Sequence, residues 1–287
     1  MTETQTRKKP NPGRNLGLAI PTGIVLFAYI ISTLIWWNWG FALFIAVALT
    51  AGIWELDRML KKLEMQAAFW PIAVLTPVSI LASYWFGSSA DGLGHALNVT
   101  FIGVMLAVLI SMLWRLRQGV DGFVKDTAAS FLLIGYFLVL GSTIILMLAD
   151  DKGPVRVAIY LTCVVAADTG AYLFGVLFGK HKMAPGISPA KSWEGFAGGV
   201  VTAMIVGAVL TSRFLDQAWW YGALFGAMMA AFGAAGDFIE SAIKRDSGVK
   251  DSSHLLPGHG GAMDRLDSLL FAAPVAWVLL FIVEVPK

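Results

Sequence analysis

The sequence predicts an all-α protein: a polytopic integral membrane bundle of about nine transmembrane helices with a cytoplasmic N-terminus. Three observations lead there. Of the 287 residues, 57% are hydrophobic and only 14% charged, against roughly 45–50% and about 25% in soluble domains. Such a chain has too little polar surface to cover a soluble core. Apolar runs of membrane-crossing length recur from residue 16 to residue 283. The basic residues, finally, gather on alternate links between those runs. The same composition excludes a disordered chain, and Cys163, the single cysteine, excludes an internal disulfide scaffold.

A crossing helix needs about 20 apolar residues. Nine segments qualify in order: Leu16 to Ile35, Gly40 to Trp54, Ala67 to Phe86, Val99 to Trp114, Thr127 to Leu148, Val157 to Phe178, Gly195 to Leu210, Ala218 to Ala235, and Leu266 to Val283. The second, fourth and seventh are short, and counts of eight or ten also fit. Internal Gly, Pro and Ser are compatible with membrane helices. The basic opening, Met1 to Pro10, leads into a first segment too long for a secretory signal core, so that helix is expected to stay uncleaved.

Alternating the links from a cytoplasmic N-terminus sorts the charges. Arg7, Lys8, Lys9 and Arg14 fall inside, as do Arg58, Lys61 and Lys62; Arg115, Arg117 and Lys125; Lys180, Lys182 and Lys191; and Lys244, Arg245, Lys250 and Arg265. Only Lys152, Arg156, Arg213 and Lys287 fall outside. That asymmetry obeys the positive-inside rule, and an extra or missing span midway would scramble it. Trp36, Trp37, Trp39, Trp219 and Trp220 end spans on the outer side, where an aromatic belt belongs.

The chain reads as one membrane domain, 1–287, with 1–150 mainly scaffold and 157–287 carrying polar motifs. Asp168 lies near the middle of the sixth segment, with Tyr172 one turn on. A carboxylate at that depth costs at least ~2.5–3.5 kcal/mol, so it faces a cavity or a broken helix, or hydrogen-bonds a neighbouring helix. The following link holds Lys180, Lys182, Ser188, Lys191 and Ser192, the last at a helix start, where hydroxyls and lysines hold phosphate. Gly195 and Gly199 form a GxxxG packing pair.

The densest constellation is GDFIESAIKRDSGVKDSSHLLPGHGGAMDRLDS, Gly236 to Ser268. If the eighth helix runs past the interface, Asp237, Glu240, Ser241 and Lys244 share one stripe. Asp264, Asp267 and Ser268 repeat the spacing at the start of the ninth. Pro257, Gly258, Gly260 and Gly261 break the chain between them, in a loop carrying His254 and His259. Carboxylates converging with Lys244, Arg245, Lys250 and Arg265 suit a hard divalent cation and phosphates, Mg²⁺ first. Zinc is disfavoured, with two histidines and no nearby cysteine. The bland alternative is a salt-bridged hairpin.

The stretch Ser241 to Asp267, with Ser241, Lys244, Arg245, Lys250, Asp251, Pro257, His259, Gly260, Gly261, Asp264, Arg265 and Asp267 in register, resembles the signature of phosphatidate cytidylyltransferases, also called CDP-diacylglycerol synthases. Ala262 stands where that family usually carries a larger apolar residue. A second block, Asp168 to Tyr172 and Ser188 to Gly195, is similar too, with Ser192 where threonine is common. The resemblance implies transfer of a cytidylyl group from CTP to phosphatidate, with Mg²⁺; the charge count puts both motif blocks on the cytoplasmic side, and a compact chain without targeting extensions is expected in a bacterial inner membrane. The resemblance also implies metal ligands Asp237 and Asp264, with Asp168 and Asp267 at or beside the metal. Lys244, Arg245, Lys191 and Arg265 would hold phosphates, and His259 would orient a carboxylate or touch phosphate. Ser188, Ser192, Ser241, Lys250 and Asp251 complete the substrate-binding set. No nucleic-acid partner is implied, and a homodimer paired through the spans is compatible with such a chain. The alternatives are another lipid-phosphate acceptor, a lipid-alcohol kinase and a cation-coupled transporter; no inverted repeat supports the last.

Overall fold

A computed structural model of the chain describes residues 16–88, 92–150, 152–249, 252, 253, 255 and 260–282. The basic N-terminal stretch, Lys250, Asp251, His254, Pro257, Gly258, His259 and Lys287 lie outside the described residues.

The architecture is the expected all-α bundle. Its helices are α1 (Leu16–Trp36), α2 (Asn38–Lys62), α3 (Phe69–Gly87) and α4 (Gly92–Leu116). One rod then joins α5 (Phe123–Leu133), a π-helical turn (Ile134–Val139) and α6 (Leu140–Leu148). Next come α7 (Gly153–Phe178), α8 (Trp193–Phe214), α9 (Trp219–Asp246) and α10 (Met263–Trp277), the last running into a π turn (Val278–Ile282). Among the described residues, seven rods, from α2 through α9 with α5–α6 as one, are long and apolar enough to cross a membrane. The segments that looked short extend beyond their apolar runs. α2 runs on through Glu55 to Lys62, α4 starts at Gly92, α8 reaches Phe214 and α9 reaches Asp246. Hydrophobicity marks where lipid begins, whereas backbone hydrogen bonding carries a helix out past the interface.

The α5–α6 rod is the most buried crossing segment, with 72% of its apolar window inside the protein. It packs against α2, α3, α4, α7 and α10. α7, α8, α9 and α10 form a sheaf in which each packs on the next. Small residues bring α8 against its neighbours, because there is no water to drive apolar surfaces together within lipid. A Cβ at Gly199 would sit 2.6 Å from the Ala167 carbonyl of α7, and one at Gly226 would sit 2.0 Å from the Ala203 carbonyl of α8. Gly195 and Gly199 thus pack as expected. The Tyr160 hydroxyl donates to the Leu269 carbonyl at 2.5 Å, and Tyr221 donates to Leu279, locking α7 and α9 onto the last rod. Trp36, Trp37, Trp219 and Trp220 are exposed, whereas Trp39 packs edge-on against Tyr84.

Four links share one end of the bundle. Asp126, at the start of α5, accepts from the Gln66 backbone at 2.7 Å and pairs with buried Arg115 of α4 at 2.7 Å. Glu55, near the end of α2, accepts from Ala262 at the start of α10. Arg245, at the end of α9, donates to the Ile187 carbonyl between α7 and α8 at 3.3 Å. These are the links into which sequence alternation sorts the basic residues.

The α7–α8 link adds a feature absent from the sequence reading. It is a small antiparallel hairpin, β1 (Lys182–Ala184) paired with β2 (Ser188–Ser192). Its base is clamped by Glu194, which accepts from the Lys180 and His181 backbones, each at 3.1 Å, and contacts His181 Nδ1 at 2.5 Å.

Candidate active site

α9 brings Asp237, Glu240, Ser241 and Lys244 onto one face, as the stripe predicts. Opposite stands the start of α10 with Asp264, Arg265 and Asp267. Asp237, Glu240 and Asp267 converge: one oxygen from each lies within 4.8 Å of the others. Glu240 is buried and its partners are half-buried. Three carboxylates held this close repel one another unless cations intervene. Lys191 Nζ, brought in by β2, lies 2.6 Å from Asp237 Oδ2, and Lys244 Nζ lies 2.5 Å from Glu240 Oε2 and 2.8 Å from Asp264 Oδ1.

Asp264 does not join that trio. It holds the loop together, accepting from the Gly261 backbone at 2.7 Å and from Ser252 Oγ at 2.9 Å besides Lys244. Burial alone would push its carboxyl up. The Lys244 ammonium, the Gly261 N–H and Glu240 outweigh that and hold it down at about 2.

Asp168 sits on an unbroken α7, so of the settings expected for it the cavity is realised and the broken helix is not. The cavity holds about 400 Å³ between α7, α8 and α9, with Asp168, Tyr172, Lys191, Ser192 and Asp237 among its lining residues and Gly195 and Gly199 in its wall. Asp168 is within electrostatic reach of Asp237, Lys191 and Arg265. The remaining wall is apolar, so the space opens a polar head onto a lipid-compatible body.

Ser192 is buried and caps α8, its Oγ accepting from the Gly195 N–H at 3.2 Å. Ser188 pairs with Ala184 in the hairpin. Ser241 Oγ donates to Asp237 Oδ1 at 3.4 Å. Arg245 is exposed and braces the hairpin rather than the acidic trio. Lys250, Asp251 and His259 lie outside the described residues.

Four participants escaped the sequence reading. Glu240 stood on the recognised stripe, three residues from Asp237, yet received no role. Tyr136, on the π turn of the central rod, is 4% exposed. Its hydroxyl has no hydrogen-bond partner among the described residues and lies within electrostatic reach of Asp267, Glu240 and Asp237. Ser252 bridges Asp264 and Glu240, at 2.9 and 3.2 Å. Glu55 reaches the start of α10 from the half read as scaffold.

This donor set fits a hard divalent cation. The ligating atoms are carboxylate oxygens, the preference of such ions. Five acids (Asp168, Asp237, Glu240, Asp264, Asp267) face three bases (Lys191, Lys244, Arg265), an excess of two formal negative charges. The orphaned Tyr136 hydroxyl is a polar group awaiting a partner in the same place.

Comparison with known proteins agrees with that chemistry. A model described as "Cytidylyltransferase family" matches residues 18–283. A phosphatidate cytidylyltransferase of Mycobacterium leprae is 34% identical over 293 residues, covering 96% of this chain and 90% of that protein. The protein of the same name from Mycobacterium tuberculosis is 34% identical over 93% of this chain and 83% of its own length. One from Staphylococcus saprophyticus reaches 49% over 115 residues, 39% of this chain and 44% of that protein.

Proposed function

This chain belongs to the cytidylyltransferase family, and we propose that it moves the cytidylyl group of CTP onto phosphatidate, giving CDP-diacylglycerol and pyrophosphate for phospholipid synthesis. The observation that carries this reading is the meeting of the Asp237–Glu240–Asp267 trio with Lys191 and Lys244 at the polar head of an otherwise apolar cavity. A water-soluble nucleotide and a bilayer-bound phosphate need such a junction.

The chemistry is a displacement at phosphorus. A phosphatidate phosphate oxygen forms a bond to the α-phosphorus of CTP while the bond to the bridging oxygen breaks, and pyrophosphate leaves with that electron pair. The nucleophile is already ionised at neutral pH, so no strong general base is required. The obstacle is repulsion between two anions, which positioned cations relieve. Asp237, Glu240 and Asp267 hold the divalent cation, which we take to be Mg²⁺; bound there, it supplies charge neutralisation and alignment of phosphate oxygens. Asp168 borders the same space. Asp264 fixes Lys244, whose ammonium, with Lys191 and Arg265, meets phosphate oxygens. Ser188, Ser192 and Ser241 offer hydroxyls nearby. The resemblance adds Lys250, Asp251 and His259, and Arg245 through its hold on the hairpin.

The bilayer is the second partner. We take the site to face the cytoplasm at a bacterial inner membrane, a reading that the basic residues in the links at its end of the bundle support, with 1–150 mainly scaffold, 157–287 carrying the catalytic motifs and a homodimer as a compatible assembly. The test is pyrophosphate release by purified protein in phosphatidate micelles with CTP and Mg²⁺, beside Asp237→Asn. Release that needs all three and vanishes in the variant supports the reading. No release from folded protein overturns it, and release of a nucleoside diphosphate would indicate a kinase.

A further inference from the structure

Glu55 is fully buried in α2, at 0% exposure, within a rod apolar enough to cross a membrane. Ionisable groups in such segments are costly and persist where they have work to do. Its partners lie about 200 residues away in sequence. Oε1 accepts from the Ala262 N–H at 2.9 Å and Oε2 accepts from the Met263 N–H at 2.7 Å. The Ser253 hydroxyl donates to Oε1 as well. Gly261 makes room for this approach: a Cβ there would sit 2.6 Å from Oε2.

The first N–H groups of any helix lack intrahelical acceptors. The residue preceding α10, Ala262, has no side chain to serve them. A serine or aspartate at that position would serve the second or third helical N–H and leave those of Ala262 and Met263 to another acceptor. Here that acceptor comes from another rod, and an anion also suits the positive end of the helix. A local cap would not fix where α10 stands. A cap from α2 does.

The consequence reaches the acidic trio through two adjacent serines. Ser253 is tied to Glu55, while Ser252 donates to Asp264 and Glu240. Asp264 and Asp267 ride on the helix whose start Glu55 holds, and Asp267 must meet Asp237 and Glu240 of α9.

We propose that Glu55 is a positioning residue for the reaction, setting the offset of α10 against α9 and with it the cation-binding geometry of Asp237, Glu240 and Asp267. The inference rests on the trio holding the divalent cation, as proposed above. It touches no substrate. Its role is to hold Asp267 in register, as partners behind metal ligands do, where substitutions weaken metal affinity or activity by about 10–100-fold.

The test uses the full chain in lipid nanodiscs and Mn²⁺ as a paramagnetic probe, read by loss of the free-ion signal. Glu55→Gln keeps the size but presents an amide N–H₂ where two backbone donors and a hydroxyl need acceptors. Expected are Mn²⁺ affinity about 10-fold weaker, kcat lower by 10–100-fold with little change in KM for CTP, and partial recovery in Glu55→Asp. Unchanged Mn²⁺ affinity and kcat in folded Glu55→Gln overturn the positioning role, as does a lowered Tm with full activity per folded molecule. Should Glu55→Gln not fold, Ser253→Ala decides by the same two readouts. Wild-type protein that binds no Mn²⁺ overturns the trio reading itself, and this inference with it; wild-type binding matched by Glu55→Gln overturns the positioning role alone.

Discussion

The Lys191 ammonium lies 2.6 Å from Asp237 Oδ2 and 4.2 Å above the Phe238 ring. One cation is thereby held by a carboxylate and an aromatic face on consecutive residues of α9, at the head of the cavity. Because Lys191 stands at the end of β2 next to the α8 cap Ser192, the hairpin and α8 together aim it.

That placement gives Lys191→Met a divided outcome. Lys191 competes with any divalent cation for Asp237, so its removal leaves affinity for Mn²⁺ alone unchanged or tighter. A phosphate-binding cation is lost at the same time, and kcat falls by roughly 10²–10³-fold, the usual cost of removing one donor to a developing charge. Metal titration without nucleotide, set beside steady-state rates, checks both signs. Weakened Mn²⁺ binding would show instead that Lys191 organises the metal site.

Asp267→Asn separates stability from function. Asp267 has carboxylate neighbours in Asp237 and Glu240, within 4.8 Å oxygen to oxygen. Its Oδ1 accepts from the Ser268 N–H at 2.7 Å, which an asparagine preserves. Removing one negative charge from the crowd relieves repulsion, so the variant melts higher than wild type in chelator. Added Mg²⁺ raises the wild-type Tm by mass action and leaves the variant nearly unmoved. Turnover falls at least about 10³-fold, by analogy with removing a preorganised electrostatic group. Thermal melts with EDTA and with Mg²⁺ provide the reading.

Asp264→Asn distinguishes a ligand from a holder. Asp264 uses two oxygens, Oδ2 for the Gly261 N–H and Oδ1 for Ser252 and Lys244; asparagine keeps one acceptor, so with its oxygen toward Gly261 it turns an amide N–H₂ toward Ser252 and releases Lys244 to Glu240 alone. Turnover is expected to fall almost completely, with membrane insertion and Mn²⁺ binding retained. Loss of Mn²⁺ binding would return Asp264 to the ligand set that the sequence signature implied.

Much of this was legible in the residues. The 3.6-residue stripe on Asp237, Glu240, Ser241 and Lys244 placed four side chains correctly, because a helix leaves little freedom in where i, i+3, i+4 and i+7 point. The depth of Asp168 announced a cavity, because a carboxylate in hydrocarbon has few other stable settings. The trio itself was not legible. Which carboxylates meet depends on the offset between α9 and α10, a tertiary quantity, and the resemblance ranked Asp264 ahead of Asp267, whereas it is Asp267 that converges with Asp237 and Glu240. Glu55 was hidden by a boundary: the apolar run ended at Trp54, so the acid one residue on read as the edge of a scaffold loop when α2 continues to Lys62. Tyr136 looked like one more aromatic in an apolar span, and only the packing of the central rod turns its hydroxyl toward the acids.

Two substitutions of equal size on the α7–α8–α9 sheaf should part company. A side chain at Gly226 meets the Ala203 carbonyl, 11 residues from Asp237 along α9, or about 16 Å at 1.5 Å per residue. A side chain at Gly199 meets the Ala167 carbonyl in the wall of the cavity itself, one residue before Asp168. Both force helices apart at backbone contacts that rotamer changes cannot relieve, and each should destabilise by about 1–3 kcal/mol. Gly226→Val should therefore lower Tm while folded molecules keep most of their kcat. Gly199→Val should lower Tm similarly and lose activity per folded molecule as well, because the helices it separates carry Asp168 and, through the start of α8, Lys191. Equal kcat in the two folded variants would mean that the cavity between α7 and α8 takes no part in the reaction.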